Sequence, residues 1–126
     1  MKPGAARRLA KADQFLGQIQ KLSVNETPEA IIHLTYYAML HVAVAVLLMR
    51  RGQAPKTHSS VIGQFSQLMQ SEGAKGQAMS RAFNRSEDRR IASDYADHIV
   101  PTGEDASRAR DRANDFVSYC HTLIEA

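Results

Sequence analysis

The strongest constraint in this sequence is an almost unbroken apolar run of twelve residues, from Ala38 to Met49. Thr27 is a suitable N-cap, Pro28 suits the first helical position, and Gly52 is typical of the position just after a helix. The pattern therefore predicts one long helix over residues 28–51. A helix that is apolar on nearly all sides must be covered by other helices or by a second subunit. Because the run is shorter than the ~20 residues that cross a bilayer, we expect no membrane span.

Four further helices are predicted from apolar residues that recur at intervals of three and four. Their limits are residues 5–21 for the first, Thr57 or His58 for the start of the third, Gln77 to as far as Ile99 for the fourth, and Thr102 for the start of the last. The polar residues 84–90 indicate a kink or a shifted apolar face in the fourth helix, and Gly73 and Gly76 indicate a loop before it. No segment alternates with period two. A chain of 126 residues fits one domain, so we expect an all-α, up-and-down bundle of about five helices.

Several classes of protein are disfavoured by what the sequence lacks. The lone Cys120 has no partner for an internal disulfide and falls on an apolar helix face, which favours a core thiol in a reducing compartment. The N-terminus carries basic residues without the apolar segment of a secretory signal, so we expect a cytoplasmic protein. No glycine-rich phosphate loop and no zinc-binding spacing is present. We therefore expect no metal ion and no cofactor.

The basic residues are mostly arginine and are concentrated in the second half of the chain. Eleven of the sixteen are arginine, and seven of these lie between Arg81 and Arg112, interleaved with acidic residues. Alternating charges are typical of solvated, ion-paired helix faces. Arginine also suits phosphate contacts, so a basic patch for nucleic acid is the alternative.

Two sets of polar residues have the spacing of a helix face. His33, Tyr37 and His41 lie at i, i+4 and i+8 of the second helix, with Tyr36 beside them. Arg90, Asp94 and His98 have the same spacing on the fourth helix, next to Tyr95 and Asp97. Such sets form ordinary hydrogen-bonded or ion-paired stripes. They also contain what phosphodiester chemistry requires, namely a histidine beside a carboxylate and an arginine that can hold a phosphate.

Three sequence blocks together resemble the HEPN superfamily (higher eukaryotes and prokaryotes nucleotide-binding). They are Tyr36-Tyr37-Ala38-Met39-Leu40-His41, then Pro55-Lys56-Thr57-His58, then Arg90-Ile91-Ala92-Ser93-Asp94-Tyr95. Their order and spacing are similar to those of the small standalone prokaryotic members. The resemblance extends over most of the chain and implies a HEPN-like helical bundle that commonly dimerises.

The resemblance also implies two kinds of function, and it leaves both open. Many HEPN proteins are metal-independent endoribonucleases that use an arginine, four to six intervening residues and a histidine. Others pair with a small nucleotidyltransferase in toxin–antitoxin modules, or have lost the nuclease motif and bind a partner or a nucleotide. Here seven residues separate Arg90 from His98, so the motif is degenerate.

The site residues that follow from the resemblance fall into a catalytic set and a binding groove. The catalytic set is Arg90, Asp94, Tyr95 and His98; the groove set is Tyr36, Tyr37, His41, Lys56 and His58. We expect RNA or a nucleotidyltransferase as partner. We also expect a homodimer whose interface involves the second or the fourth helix, because the second helix has so much apolar surface.

Overall fold

Helix α2 (Pro28–Arg51) packs against all four of the other helices. The computed structural model describes residues 1–95 and 100–125. Within these ranges every regular element is a helix, and the order is α1 (Pro3–Ile19), α2, α3 (His58–Met69), α4 (Gly73–Tyr95) and α5 (Gly103–Glu125). This confirms the predicted all-α bundle of five helices.

The apolar run of α2 forms the centre of the core. Thirteen of its 24 residues are buried, including every residue from Val42 to Leu47. By length and composition α2 would be able to cross a membrane, but 72% of its apolar window is buried inside the bundle. The burial of α2 is that of a core helix and is compatible with a soluble protein. The 24 residues of α2 are long enough to span a bilayer, whereas the twelve residues of its apolar run are not.

The predicted helix ends are formed by the expected residues, with one difference. Gly52 adopts φ 81° and donates its N–H to the carbonyl of Leu48, which closes α2. The Thr57 side chain accepts a hydrogen bond from the Ser60 N–H and caps α3. Thr27 lies at the N-cap of α2 but makes no capping bond, because its hydroxyl donates to the carbonyl of Ser23.

Three phenylalanines join the shorter helices into the core beside α2. Phe65 of α3, Phe83 of α4 and Phe116 of α5 are fully buried, with ring centroids 5.2–5.8 Å apart. The ring centroid of Tyr36, on α2, lies 6.3 Å from that of Phe83. Cys120 is also fully buried, and burial raises the pKa of its thiol, so it remains a protonated core residue.

The start of α4 differs from the sequence prediction. The helix begins at Gly73 rather than near Gln77, and Gly76 lies inside it. Gly76 is buried. A Cβ at this position would lie 3.0 Å from the Tyr119 hydroxyl oxygen and 2.6 Å from the Glu72 Cβ. This glycine therefore allows α4 to approach α5, and it does not mark a loop. The predicted extension of the helix to Ile99 lies outside the described residues.

Replacing Gly76 by alanine should destabilise the fold. Alanine favours a helix by up to ~1 kcal/mol over glycine, but overpacking against Glu72 and Tyr119 should cost about 1–3 kcal/mol. Gly63→Ala in α3 is the matched control, because nothing lies within 4 Å of its added Cβ. Urea unfolding should show a lower free energy for Gly76→Ala and an equal or higher one for Gly63→Ala. Equal values for both variants would contradict the close approach.

The start of α5 should make stability depend on pH. The Thr102 hydroxyl accepts from the Asp105 N–H at 3.1 Å, and Asp105 accepts from the Thr102 N–H at 3.0 Å. These bonds lower the pKa of Asp105. Because the folded pKa lies below the unfolded one, the stabilisation is present above the unfolded pKa of ~3.9 and is lost as pH falls through the folded pKa.

Asp105→Asn should therefore lower the free energy of unfolding at pH 7 by about 0.3–1.5 kcal/mol. The difference from wild type should shrink as pH falls toward 3. Asp115→Asn, an exposed acid on the same helix, is the control and should change little at either pH. A deficit for Asp105→Asn that is the same at pH 7 and pH 3 would show that the charge has no part in the cap.

Candidate functional site

Arg90 is held on several sides by residues of its own helix and of α2. Its Nη2 bonds a Glu87 carboxylate oxygen at 3.3 Å, and its Nη1 bonds Asp94 at 3.3 Å. The guanidinium lies 4.8 Å from the ring centroid of Tyr36, within the range of a cation–π interaction. Only 16% of the side chain is exposed. The ion-paired ladder expected between Arg90 and Asp94 is therefore formed.

Asp94 also binds a histidine that the catalytic set did not contain. The Nε2 atom of His33, on α2, lies 2.7 Å from Asp94 Oδ1. A carboxylate at this distance accepts a hydrogen bond from the ring and fixes its orientation. His33 belongs to the stripe at i, i+4 and i+8 of the second helix, but its pairing with α4 has no signal in the sequence. We call the residues Glu87, Arg90, Asp94 and His33 the Arg90 cluster.

The charges of the Arg90 cluster are dominated by its carboxylates. Glu87 and Asp94 carry two negative charges against the single positive charge of Arg90, so the cluster is net negative when His33 is neutral. Burial lowers the pKa of Arg90, but its hydrogen bond to Glu87 and the charge of that carboxylate outweigh burial and raise the pKa overall. Arg90 is therefore a permanent cation whose field is already compensated.

Tyr36, Tyr37 and His58 form an aromatic group between α2 and the start of α3. Tyr36 is completely buried and Tyr37 is half-buried, and the His58 ring centroid lies 5.9 Å and 5.8 Å from theirs. Burial, and then the nearby Glu87 carboxylate, raise the pKa of Tyr36. The Glu87 carboxylate is close enough to affect this pKa, but among the described residues no group has the geometry of a hydrogen bond to the Tyr36 hydroxyl. This group therefore contacts α4 through Tyr36, whose ring lies against Arg90 and beside Phe83.

A pocket of about 540 Å³ lies between the first turns of α1, the middle of α2 and the start of α3. Its polar wall consists of Arg7, Arg8, Lys56 and His58, and among the described residues no acidic side chain lines it. We call it the basic pocket. Lys56 and His58 were expected in a binding groove. Arg7 and Arg8 were not, because on sequence alone they are ordinary polar residues of an amphipathic helix.

His41 lies behind the basic pocket and bonds one of its arginines. Arg8 Nη1 donates to His41 Nδ1 at 2.9 Å, and the rings of Phe15 and His41 are 5.5 Å apart. Burial lowers the pKa of His41 to about 4, and the charges of Arg8 and Lys11 contribute to the same shift. The ring is therefore neutral near pH 7 and acts as a hydrogen-bond acceptor.

The sequence left two roles open for the arginines between Arg81 and Arg112, namely ion pairing on helix faces and a basic patch. Four of them have a carboxylate within 4.0 Å: Arg89, Arg90, Arg108 and Arg110. Among the residues that the structure describes, Arg81, Arg85 and Arg112 have none. Burial, and then Arg89 and Arg85, lower the pKa of Arg112. Ion pairing thus accounts for most of these arginines, though not for all.

The expected site residues occupy two neighbouring places. Arg90 and Asp94 form the Arg90 cluster, whereas Lys56 and His58 line the basic pocket and His41 supports it. His58 connects the two through Tyr36 and Tyr37. Tyr95, at the end of α4, is 79% exposed. His98 and Asp97 lie outside the described residues.

Comparison with known proteins gives the same family as the sequence blocks. The model of the HEPN domain family matches residues 5–123. A UPF0332 protein of Thermotoga maritima is 24% identical over 115 residues, which cover 91% of this chain and 86% of that protein. The family model covers nearly the whole chain and coincides with the helical bundle described above, so this protein belongs to the HEPN domain family.

Proposed function

We propose that this protein is the HEPN component of a toxin–antitoxin or related defence module, and that it acts as a binding module without cutting RNA. One observation supports the non-catalytic form, namely that both terminal nitrogens of Arg90 are already bonded to carboxylates. In a ribonuclease of this family, the arginine would stabilise the negative charge of the phosphorane. That requires N–H donors free to face the phosphate.

Engaging a phosphate would require Arg90 to exchange its present partners. Each hydrogen bond to a charged group contributes about 1.5–3 kcal/mol, so losing the bonds to Glu87 and Asp94 is costly. The carboxylates would also remain beside the phosphate and repel it. The two carboxylates on Arg90 therefore support a structural role for it, in which Arg90 contacts Tyr36 of α2 and its partner Asp94 contacts His33 of α2.

The surface beside the Arg90 cluster has the chemistry of a protein-binding site. Ile91 and Tyr95, on the last turns of α4, are large side chains with 40% and 79% of their surface exposed. Tyrosine and arginine are enriched among residues that dominate binding energy at interfaces. We take the occupant to be a small nucleotidyltransferase, the partner that the family resemblance names. A second copy of this chain is the alternative occupant.

A second candidate function is favoured by the 2.7 Å contact between His33 and Asp94. In this alternative the protein is an endoribonuclease in which His33, supplied by α2, replaces the displaced histidine of the motif. His33 would take the proton of a ribose 2′-hydroxyl as that oxygen attacks the adjacent phosphorus. Arg90 would stabilise the charge of the phosphorane, and a water molecule would protonate the 5′-oxygen as its bond to phosphorus breaks.

An RNA cleavage assay in EDTA separates these two functions. The wild-type protein should leave a single-stranded RNA intact, because Arg90 is committed to its carboxylates. His121→Ala is the matched control for His33→Ala, since His121 also pairs with an aspartate, Asp13, at 3.3 Å. Cleavage that is lost in His33→Ala and Arg90→Ala but kept in His121→Ala would overturn the non-catalytic proposal and establish the second candidate.

Replacing Tyr95 should weaken the complex with the proposed nucleotidyltransferase partner. Because Tyr95 is exposed, Tyr95→Arg should keep the thermal stability of the wild type and weaken the complex at least tenfold. Lys75→Ala, an exposed change on the opposite end of α4, should leave affinity unchanged. The measurement is a titration of the purified pair by calorimetry.

Sedimentation of the same variants gives the occupant of the surface. In one outcome the wild type sediments as a stable dimer and Tyr95→Arg as a monomer, while the affinity for the nucleotidyltransferase is unchanged. That result would contradict the proposal and assign the surface to a second copy of this chain.

A further inference from the structure

The basic pocket is unlike the rest of the charged surface because its cations converge without acids. Arg7, Arg8 and Lys56 contribute three positive charges, and no aspartate or glutamate of the described ranges lines the pocket. Among the residues that the structure describes, none of these three side chains has a carboxylate within 4.0 Å. Like charges gathered in one concave site repel each other, and an anion relieves that repulsion.

The walls of the pocket add to this positive field. Both α1 and α3 begin at it, and Gly4 and His58 are within the first turns of these helices. Backbone N–H groups at a helix start carry partial positive charge. Val44 and Leu48 of α2 supply an apolar side opposite the cations. The volume of about 540 Å³ is in the range of pockets that hold small organic ligands.

Arg8 is held in place by a neutral histidine. Arginine only donates hydrogen bonds, so the 2.9 Å contact requires a lone pair on His41 Nδ1 and places the ring proton on Nε2. The other groups that face His41 are the cations Arg8 and Lys11 and the ring of Phe15 from α1, and the His58 ring from α3. Lys11 and Phe15 have no hydrogen-bond acceptor, so neither competes with His41 for the Arg8 donor. The bond therefore fixes the guanidinium and leaves its positive charge in place, whereas a carboxylate partner would neutralise it.

We propose that the basic pocket binds the terminal phosphate of a small ligand or of an RNA end, and that His41 is the positioning residue that orients Arg8 toward it. A phosphate oxygen pair matches the fork of an arginine, and Lys56 adds a mobile charge. The apolar wall formed by Val44 and Leu48 accommodates the organic part of the ligand. This site is separate from the Arg90 cluster and does not depend on the partner proposed above.

Calorimetric titrations with ATP and with adenosine test the site. ATP should bind and adenosine should bind at least tenfold more weakly, because only ATP carries the phosphates. Arg8→Ala and Lys56→Ala should each weaken ATP binding about tenfold, and higher salt should weaken it further. Lys75→Ala, an exposed basic residue of α4, is the matched control. Equal affinity for ATP and adenosine, or wild-type affinity in both pocket variants, would overturn the proposal.

Two variants of His41 separate positioning from a structural role. His41→Asn keeps an acceptor near the place of Nδ1 and should retain wild-type affinity, whereas His41→Leu should weaken ATP binding three- to tenfold. The double variant Arg8→Ala with His41→Leu should bind no more weakly than Arg8→Ala alone, because both changes remove the same contact. Additive losses, or equal losses in the asparagine and leucine variants, would contradict the positioning role.

An RNA arm identifies the source of the phosphate. A short RNA with a 5′-phosphate should bind more tightly than the same RNA with a 5′-hydroxyl if the pocket holds an RNA end. ATP binding combined with no difference between the two RNAs would assign the pocket to a free nucleotide. Arg8→Ala must weaken whichever ligand binds, and an unaffected Arg8→Ala would overturn the proposal for both sources.

Discussion

The burial of α2 is the constraint on which the rest of the structure depends. Its apolar run cannot face water, and the four other helices of the bundle pack around it. Each fully buried aliphatic side chain contributes about 1.5–3 kcal/mol, so no other element has a comparable effect on the fold. The few polar residues of α2 are consequently found where it meets its neighbours. There they pair with α4 through His33, contact α3 through Tyr37, and bond α1 through His41.

Two sites with opposite charge balance result from this arrangement. In the Arg90 cluster a cation is surrounded by two carboxylates and an aromatic ring, so its charge is used to hold helices together. In the basic pocket the cations have no carboxylate beside them among the described residues, and Arg8 is bonded to the neutral ring of His41. A phosphate is stabilised where positive charge is uncompensated. We therefore propose structure and partner binding for the first site and phosphate binding for the second.

The fold was largely predictable because its signals are local. The apolar run, Pro28, Gly52, Thr57 and Thr102 gave the correct helix ends. The prediction was wrong at the start of α4, where Gly76 is required by contact with Tyr119, a residue distant in sequence. The candidate site was less predictable for the same reason. The bond between Arg90 and Asp94 is local and was expected, whereas the bonds from His33 to Asp94 and from Arg8 to His41 join different helices.

A nuclear magnetic resonance titration that resolves the arginine side-chain Nε–Hε signals tests the division between the two sites most directly. ATP would be added to protein labelled with nitrogen-15, and each signal would be assigned by substitution. We expect the signals of Arg7 and Arg8 to shift with added ATP, while that of Arg90 stays in place. A shift of the Arg90 signal with those of Arg7 and Arg8 unchanged would contradict this division.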